Sequence, residues 1–379
     1  MYYNSEIENF SIDEKLIFLL IGSSIEKHDF ALKNHIETNS VDWEKIILFC
    51  SEHGLTSILY KYLKSRNITN LIDNVNLEKI KSYYYYTLKN TVVKQEYFNK
   101  IQKVFSESHI EILPLKGSYL INNHYDDVGL RPMSDIDILI EENNLLKAKQ
   151  ILYNLGYTLI PARTSIEEKY GLQYNLQFSK KDSFIELHRN ITPPYSNYNL
   201  NIDEFWKRKD KSNLSIENHI IHFCVHYNFN VNNRLVRLGW FYDIISVISK
   251  NETVIDWKYI SEFCIKNNLI NAVNPILKFL NKNYNINIPI NLKAINSEEY
   301  EKRFNHNFSC VLKKENSKMI VEKNLNYSLK LKLITKWIDK IRYLFQLIFP
   351  QKKYMVYKHK KFIINGYIKE LMSVFQKIN

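Results

Sequence analysis

Glycine and proline are scarce in this chain, eight of each in 379 residues. That excludes collagen-like and linker-rich proteins, which need one or both in quantity. Cysteine is scarcer still: Cys50, Cys224, Cys264 and Cys310 lie far apart and form no CxxC pair. A disulfide scaffold is therefore excluded, and the four read as small core residues in a reducing compartment. No apolar run approaches the roughly 20 residues that a membrane span needs. The opening MYYNSEIENF is polar and acidic, where a secretory leader is basic and then apolar. The expectation is a soluble, cytoplasmic protein. Acidic residues are also in deficit, 40 against 52 lysines and arginines, leaving a net charge of +12. Such an excess attracts phosphates, nucleic acid or anionic lipid, and says nothing about fold.

Hydrophobic residues make up 45% and charged residues 24%, which are ordinary globular proportions. Residues 1–109 read as an N-terminal helical region. EKLIFLLIGSSI, WEKIILFCSEHG and LTSILYKYLKS carry apolar residues three and four apart. Gly54 marks a helix stop, Thr56 or Ser57 a restart, and Tyr83–Ser106 one further helix.

The pattern changes over 110–200. Ile110–Leu115 and Ser134–Ile140 are short β-rich runs, with GSYLINNHY between them as a short amphipathic helix. NNLLKAKQILYNLG reads as a helix closed by Gly156, and YTLI as a strand. LQYNLQF, the turn KKDS and FIELH form a β-hairpin over 172–189. This order predicts an α+β protein: a small mixed sheet covered by helices on one side. A C-terminal helical domain follows over 201–300, then a basic helical tail over 301–379.

Chemistry concentrates in Leu115-Lys116-Gly117-Ser118 and in Arg131-Pro132-Met133-Ser134-Asp135-Ile136-Asp137-Ile138-Leu139-Ile140. In a strand, Asp135 and Asp137 share one face while Ile136, Ile138 and Ile140 point into the core. Two adjacent carboxylates repel each other unless a cation or strong donors separate them, and oxygen ligands suit Mg²⁺. Glu186, between Ile185 and Leu187, completes a three-carboxylate set if its strand neighbours 134–140. Such a set supports two-metal displacement at phosphorus. Gly117 and Ser118 open a helix, where a close backbone approach and free N–H groups favour phosphate. Lys116 and Arg131 either neutralise phosphate or pair with the carboxylates.

LKGSYL, RPMSDIDILI and IELH together resemble the nucleotidyltransferase superfamily of DNA polymerase β. The chain is most similar to its bacterial group of uncharacterised nucleotidyltransferases (nucleotidyltransferase 5). EHGLTSILYKYL, SIENHIIHFCVHYNF and RLVRLGWFYDI are similar to that group's flanking helices, so the resemblance covers roughly residues 15–250. It carries the glycine-serine loop, paired aspartates and third carboxylate onto Gly117, Ser118, Asp135, Asp137 and Glu186. It implies transfer of a nucleoside monophosphate from an NTP to a hydroxyl, with two Mg²⁺ ions (or Mn²⁺) and release of pyrophosphate. Sixteen residues separate Ser118 from Asp135, more than is usual in the superfamily.

His188 shares the face of Glu186 and is a candidate cleft residue. His219, His222 and His226 fall on one helical face; without a fourth ligand they read as packed histidines, with His226 a candidate for the cleft. Arg234, Arg237 and Asp243 either project toward the site or pair with one another. In the tail, Lys and Arg alternate with Trp337, Tyr343, Phe345 and Phe349, a pattern that could bind polyanions weakly. The acceptor stays open among small molecules, peptides, proteins and RNA. The competing reading is an inactive nucleotide- or RNA-binding module of the same fold.

Overall fold

The computed structural model describes residues 9–194, 196, 198, 200–210, 213–232, 235–289, 297–320, 326–359 and 367. Arg234 and most of the last twenty residues lie outside them. The chain forms two compact units. The first comprises 1–100, 114–134 and 198–322, the second 101–113, 135–197 and 323–379.

The first unit is mainly helical, with a two-stranded ribbon of Lys209–Asp210 and Asn213–Leu214, and its helix ends follow from local chemistry. Ser11 accepts from the Glu14 N–H while the Glu14 carboxylate accepts from the Ser11 N–H, a reciprocal box that starts Ile12–Ile21. Asp42 caps Trp43–His53, and Gly54, at φ 72°, ends it in the left-handed region that costs glycine least. Thr56–Ser65 restarts at the expected threonine. The long helix runs Asn74–Glu107, beginning well before the expected Tyr83, because Asp73 accepts from the Asn76 N–H at 3.0 Å and caps it there. Ile216–Asn232, Leu238–Asn251, Trp257–Lys266 and Ile270–Tyr284 form the core of the C-terminal half of this unit.

The second unit holds a five-stranded mixed sheet, so the fold is α+β as the pattern predicted. Its strands are β1 (Leu113–Pro114), β2 (Ile136–Leu139), β3 (Thr158–Leu159), β4 (Asn175–Lys180) and β5 (Ser183–His188), in the order β1-β2-β5-β4-β3. β2 and β5 run parallel; β4 is antiparallel to both β5 and β3. β4 and β5 are the expected hairpin, turning through Lys181 at φ 48°. β1 is shorter than the run 110–115, since Pro114 offers no N–H to a ladder. β2 starts at Ile136 rather than Ser134, which leaves Asp135 one residue before the strand. Leu145–Asn154 closes through Gly156 at φ 82°, the position anticipated for it. One sheet face is mainly apolar: Ile136, Ile138, Phe178, Ile185 and Leu187 are buried there. The opposite face carries the polar residues.

Candidate active site

Strand register builds that polar face. Across the parallel pair, Asp137 lies opposite Glu186; across the hairpin, Glu186 lies opposite Gln177 and His188 opposite Asn175. Period-two alternation then places all five side chains on one face of three adjacent strands. Asp137 and His188 are nearly inaccessible, at 2% and 1% exposure, and Glu186 is half-buried.

A buried carboxylate needs donors, and here they come from the sheet. Asn175 Nδ2 donates to Glu186 Oε2 at 3.0 Å and Gln177 Nε2 to Oε1 at 2.7 Å. His188 Nε2 lies 3.0 Å from Asp137 Oδ1 and 3.3 Å from Glu186 Oε2, so one ring nitrogen bridges both carboxylates. One ligand atom from each of Asp137, Glu186 and His188 falls within 4.8 Å of the other two. A single divalent cation could be reached by all three, and among the described residues this is the one His/Cys/Asp/Glu group so arranged. Two carboxylates and an imidazole suit Mn²⁺ as well as Mg²⁺, which on its own favours oxygen. Asp135 is half-buried and outside this group. His188, read from sequence only as a cleft candidate, is thus a member of the cluster. Asn175 and Gln177 went unread, although hairpin alternation puts them on the Glu186 face.

The other candidates belong to the first unit. Lys116 takes φ 45° at the start of helix Lys116–Asn123, an uncommon conformation for a residue with a side chain. Ser118 is fully buried within that helix. Arg131 pairs with Asp243, Nε and Nη2 each 3.0 Å from Oδ2, and Tyr125 donates its hydroxyl to Oδ1 at 2.6 Å. Arg131 thus has a carboxylate partner 112 residues away in sequence. Burial pushes the Asp243 carboxyl up, and Arg131 and Tyr125 act against that. Arg237 is exposed beside Trp240. With His53, Tyr125, Arg131 and Asp243 these two line a cavity of about 30 Å³, room for little more than water.

Gly117 is required here by a neighbour. A Cβ on it would lie 2.5 Å from Arg131 Nη1, and Arg131 is anchored by Asp243. Gly117→Ala is expected to displace that guanidinium and destabilise the protein by about 1–3 kcal/mol, the usual range for overpacking. Chemical denaturation checks this; an unchanged midpoint contradicts it.

His219 stacks on Tyr119 with ring centroids 3.4 Å apart, and His222 on Phe223, while His226 packs edge-on against Trp240 at 4.7 Å. Burial lowers the His219 pKa to about 3. His219 and His222 are buried against these rings, and His226 is half-buried.

A family profile described as an uncharacterised nucleotidyltransferase matches residues 39–285, well over half of the chain. No curated protein and no solved structure matches it.

Proposed function

This chain belongs to that family of uncharacterised nucleotidyltransferases, and from this membership we propose that it transfers a nucleoside monophosphate from an NTP to a hydroxyl group. The observation that supports this best is the buried pairing of Asp137 with Glu186 on parallel strands, with His188 between them. Such a convergence of carboxylates is costly unless donors or a cation offset it.

The donor set fits a divalent metal, which we assign to Asp135, Asp137 and Glu186 with His188 as a further ligand. A bound Mg²⁺ or Mn²⁺ supplies charge neutralisation at the phosphates and acidifies the acceptor hydroxyl. In the reaction the acceptor oxygen bonds to the α-phosphorus and the α–β phosphoanhydride bond breaks. Pyrophosphate leaves, and the hydroxyl proton passes to a base or to water. Glu186, held by Asn175 and Gln177, has the fixed orientation needed to direct that hydroxyl. Lys116, Gly117, Ser118 and Arg131 are assigned to the nucleotide on the family pattern, and His226, Arg237 and Asp243 to the cleft.

A second reading has one observation in its favour. Asn175, Gln177 and His188 together supply donors to both Glu186 oxygens and to one of Asp137, which is what a binding module without metal would require. The test is transfer of label. With wild-type protein, α-phosphate label from one NTP should move to an acceptor in a cell extract, with pyrophosphate released. Asp135→Ala/Asp137→Ala should transfer none. Equal transfer by both proteins rejects the catalytic assignment, and nucleotide binding without transfer favours the module.

A further inference from the structure

The apolar face of the tail helix Trp337–Ile348 belongs to no part of the proposed reaction. Its inner side is tightly fastened to residues 162–170. Asp339, buried, accepts from Lys169 Nζ at 2.7 Å and from the Tyr170 hydroxyl at 2.8 Å. Gln346 Oε1 accepts from the Ser165 N–H at 2.9 Å, and Tyr343 packs in a small core with Ile166, Leu172 and Ile334.

The outer side has the opposite character. At about 100° per residue, Leu344, Trp337, Ile348, Ile341, Phe345 and Ile338 fall on one arc of about 120°. All are exposed, Trp337 by 72%, Phe345 by 59% and Ile341 by 57%. Lys340 flanks one edge of the arc and Arg342 the other. Between 326 and 359 there are eight lysines and arginines against one acidic residue, and that residue, Asp339, is turned inward. A soluble surface rarely leaves so many large apolar side chains in one contiguous patch.

We propose that this face docks on an anionic lipid surface, with the helix lying in the plane of the interface. The chemistry matches on both counts. Aliphatic and aromatic side chains together enter the boundary between headgroups and acyl chains, and flanking cations, with long apolar stems, reach back to the phosphates. RNA fits less well, because base stacking needs π faces and four of the six residues on the arc are aliphatic. The helix is about 18 Å long, enough to lie on a bilayer but too short to span it; among the described residues no helix is long and apolar enough to cross a membrane. This surface is independent of the nucleotidyl-transfer reading.

The experiment is flotation of the full chain with vesicles of phosphatidylcholine and phosphatidylglycerol in equal parts, against phosphatidylcholine alone. The wild type is expected to float with the anionic vesicles and not with the neutral ones. Ile341→Asp/Phe345→Asp, at two positions that are more than half exposed, should retain its circular dichroism and melting temperature and stay unbound. Lys340→Glu/Arg342→Glu should lower the bound fraction about tenfold or more. The proposal is overturned if the wild type ignores anionic vesicles, or if Ile341→Asp/Phe345→Asp floats like the wild type. Retention of RNA, or self-association through this face, in place of vesicle binding also overturns it.

Discussion

Asp243→Ala is expected to cost about 3–5 kcal/mol, the range for removing one member of a buried ion pair. Asp243 is 4% exposed and its two oxygens serve Arg131 and Tyr125. Alanine would take this carboxylate from a guanidinium whose side chain is only 12% exposed, and would remove the Tyr125 hydroxyl's acceptor. The damage should spread along the segment leading to Asp135. Residues 124–131 are fastened to helix Leu238–Asn251 through this pair, through the contact of His124 with Ser246 at 3.0 Å, and through Lys250, which donates to the His124 carbonyl at 3.1 Å. Asp243→Asn keeps an acceptor for Tyr125 and should cost less. Arg131→Met combined with Asp243→Leu removes both charges and should restore much of the loss, because paired apolar replacements are often close to neutral. Urea denaturation of the three variants decides it; a loss below about 1 kcal/mol for Asp243→Ala would place the pair among weak surface bridges.

The second large effect is acid sensitivity well above the range where carboxylates titrate. Burial lowers the pKa of His28 to about 4, of His53 to about 4 and of His219 to about 3. His53 Nδ1 accepts from the Leu238 N–H at 3.4 Å, a role open only to the unprotonated nitrogen. In the unfolded chain each histidine titrates near 6.5. Below that pH the unfolded state binds protons that the folded state refuses, so stability is complete above about 6.5 and is lost as pH falls toward each folded value. Each histidine withdraws about 1.4 kcal/mol per pH unit in that window, and three together about 4. By pH 5 the loss would rival the 5–15 kcal/mol that typically holds a domain together. Asp243, raised by burial, acts in the opposite sense as the acid range is entered, but it is one group against these three and His124, whose pKa burial also lowers to about 4. Melting temperatures measured from pH 8 to pH 5 should fall steeply below 6.5. A flat profile over that range contradicts the neutral burial of these histidines.

Which parts of this arrangement were legible beforehand depends on the distance over which the physics acts. Gly54 and Gly156 announced helix ends because a left-handed residue is a local requirement. The hairpin was legible from alternation and a polar turn. That Asp137 would face Glu186 could be stated only as a condition, since the pairing of β2 with β5 is tertiary and 48 residues of chain separate the two positions. The start of the long helix was missed because Asn74-Val75-Asn76 is weakly helix-forming, and the cap at Asp73 outweighs that. Asp243 as the anchor of Arg131 left no local trace. Its neighbours Tyr242 and Ile244 are ordinary core residues, and only the fold brings it to Tyr125. The face of Trp337–Ile348 that docks could not be chosen either, because both sides of that helix carry large apolar residues.

We propose that Asp135, Asp137 and Glu186 form a metal-assisted nucleotide centre. Its most direct test is a thermal-shift panel of ATP, CTP, GTP and UTP, with and without Mg²⁺, on wild type and Asp135→Ala/Asp137→Ala. A nucleotide present at about 100 times its dissociation constant should stabilise the fold by about 2.7 kcal/mol. The account predicts that at least one NTP raises the wild-type melting temperature only when metal is present, and that the double variant does not respond. Equal metal-dependent stabilisation of both proteins, or no response from either, would contradict it.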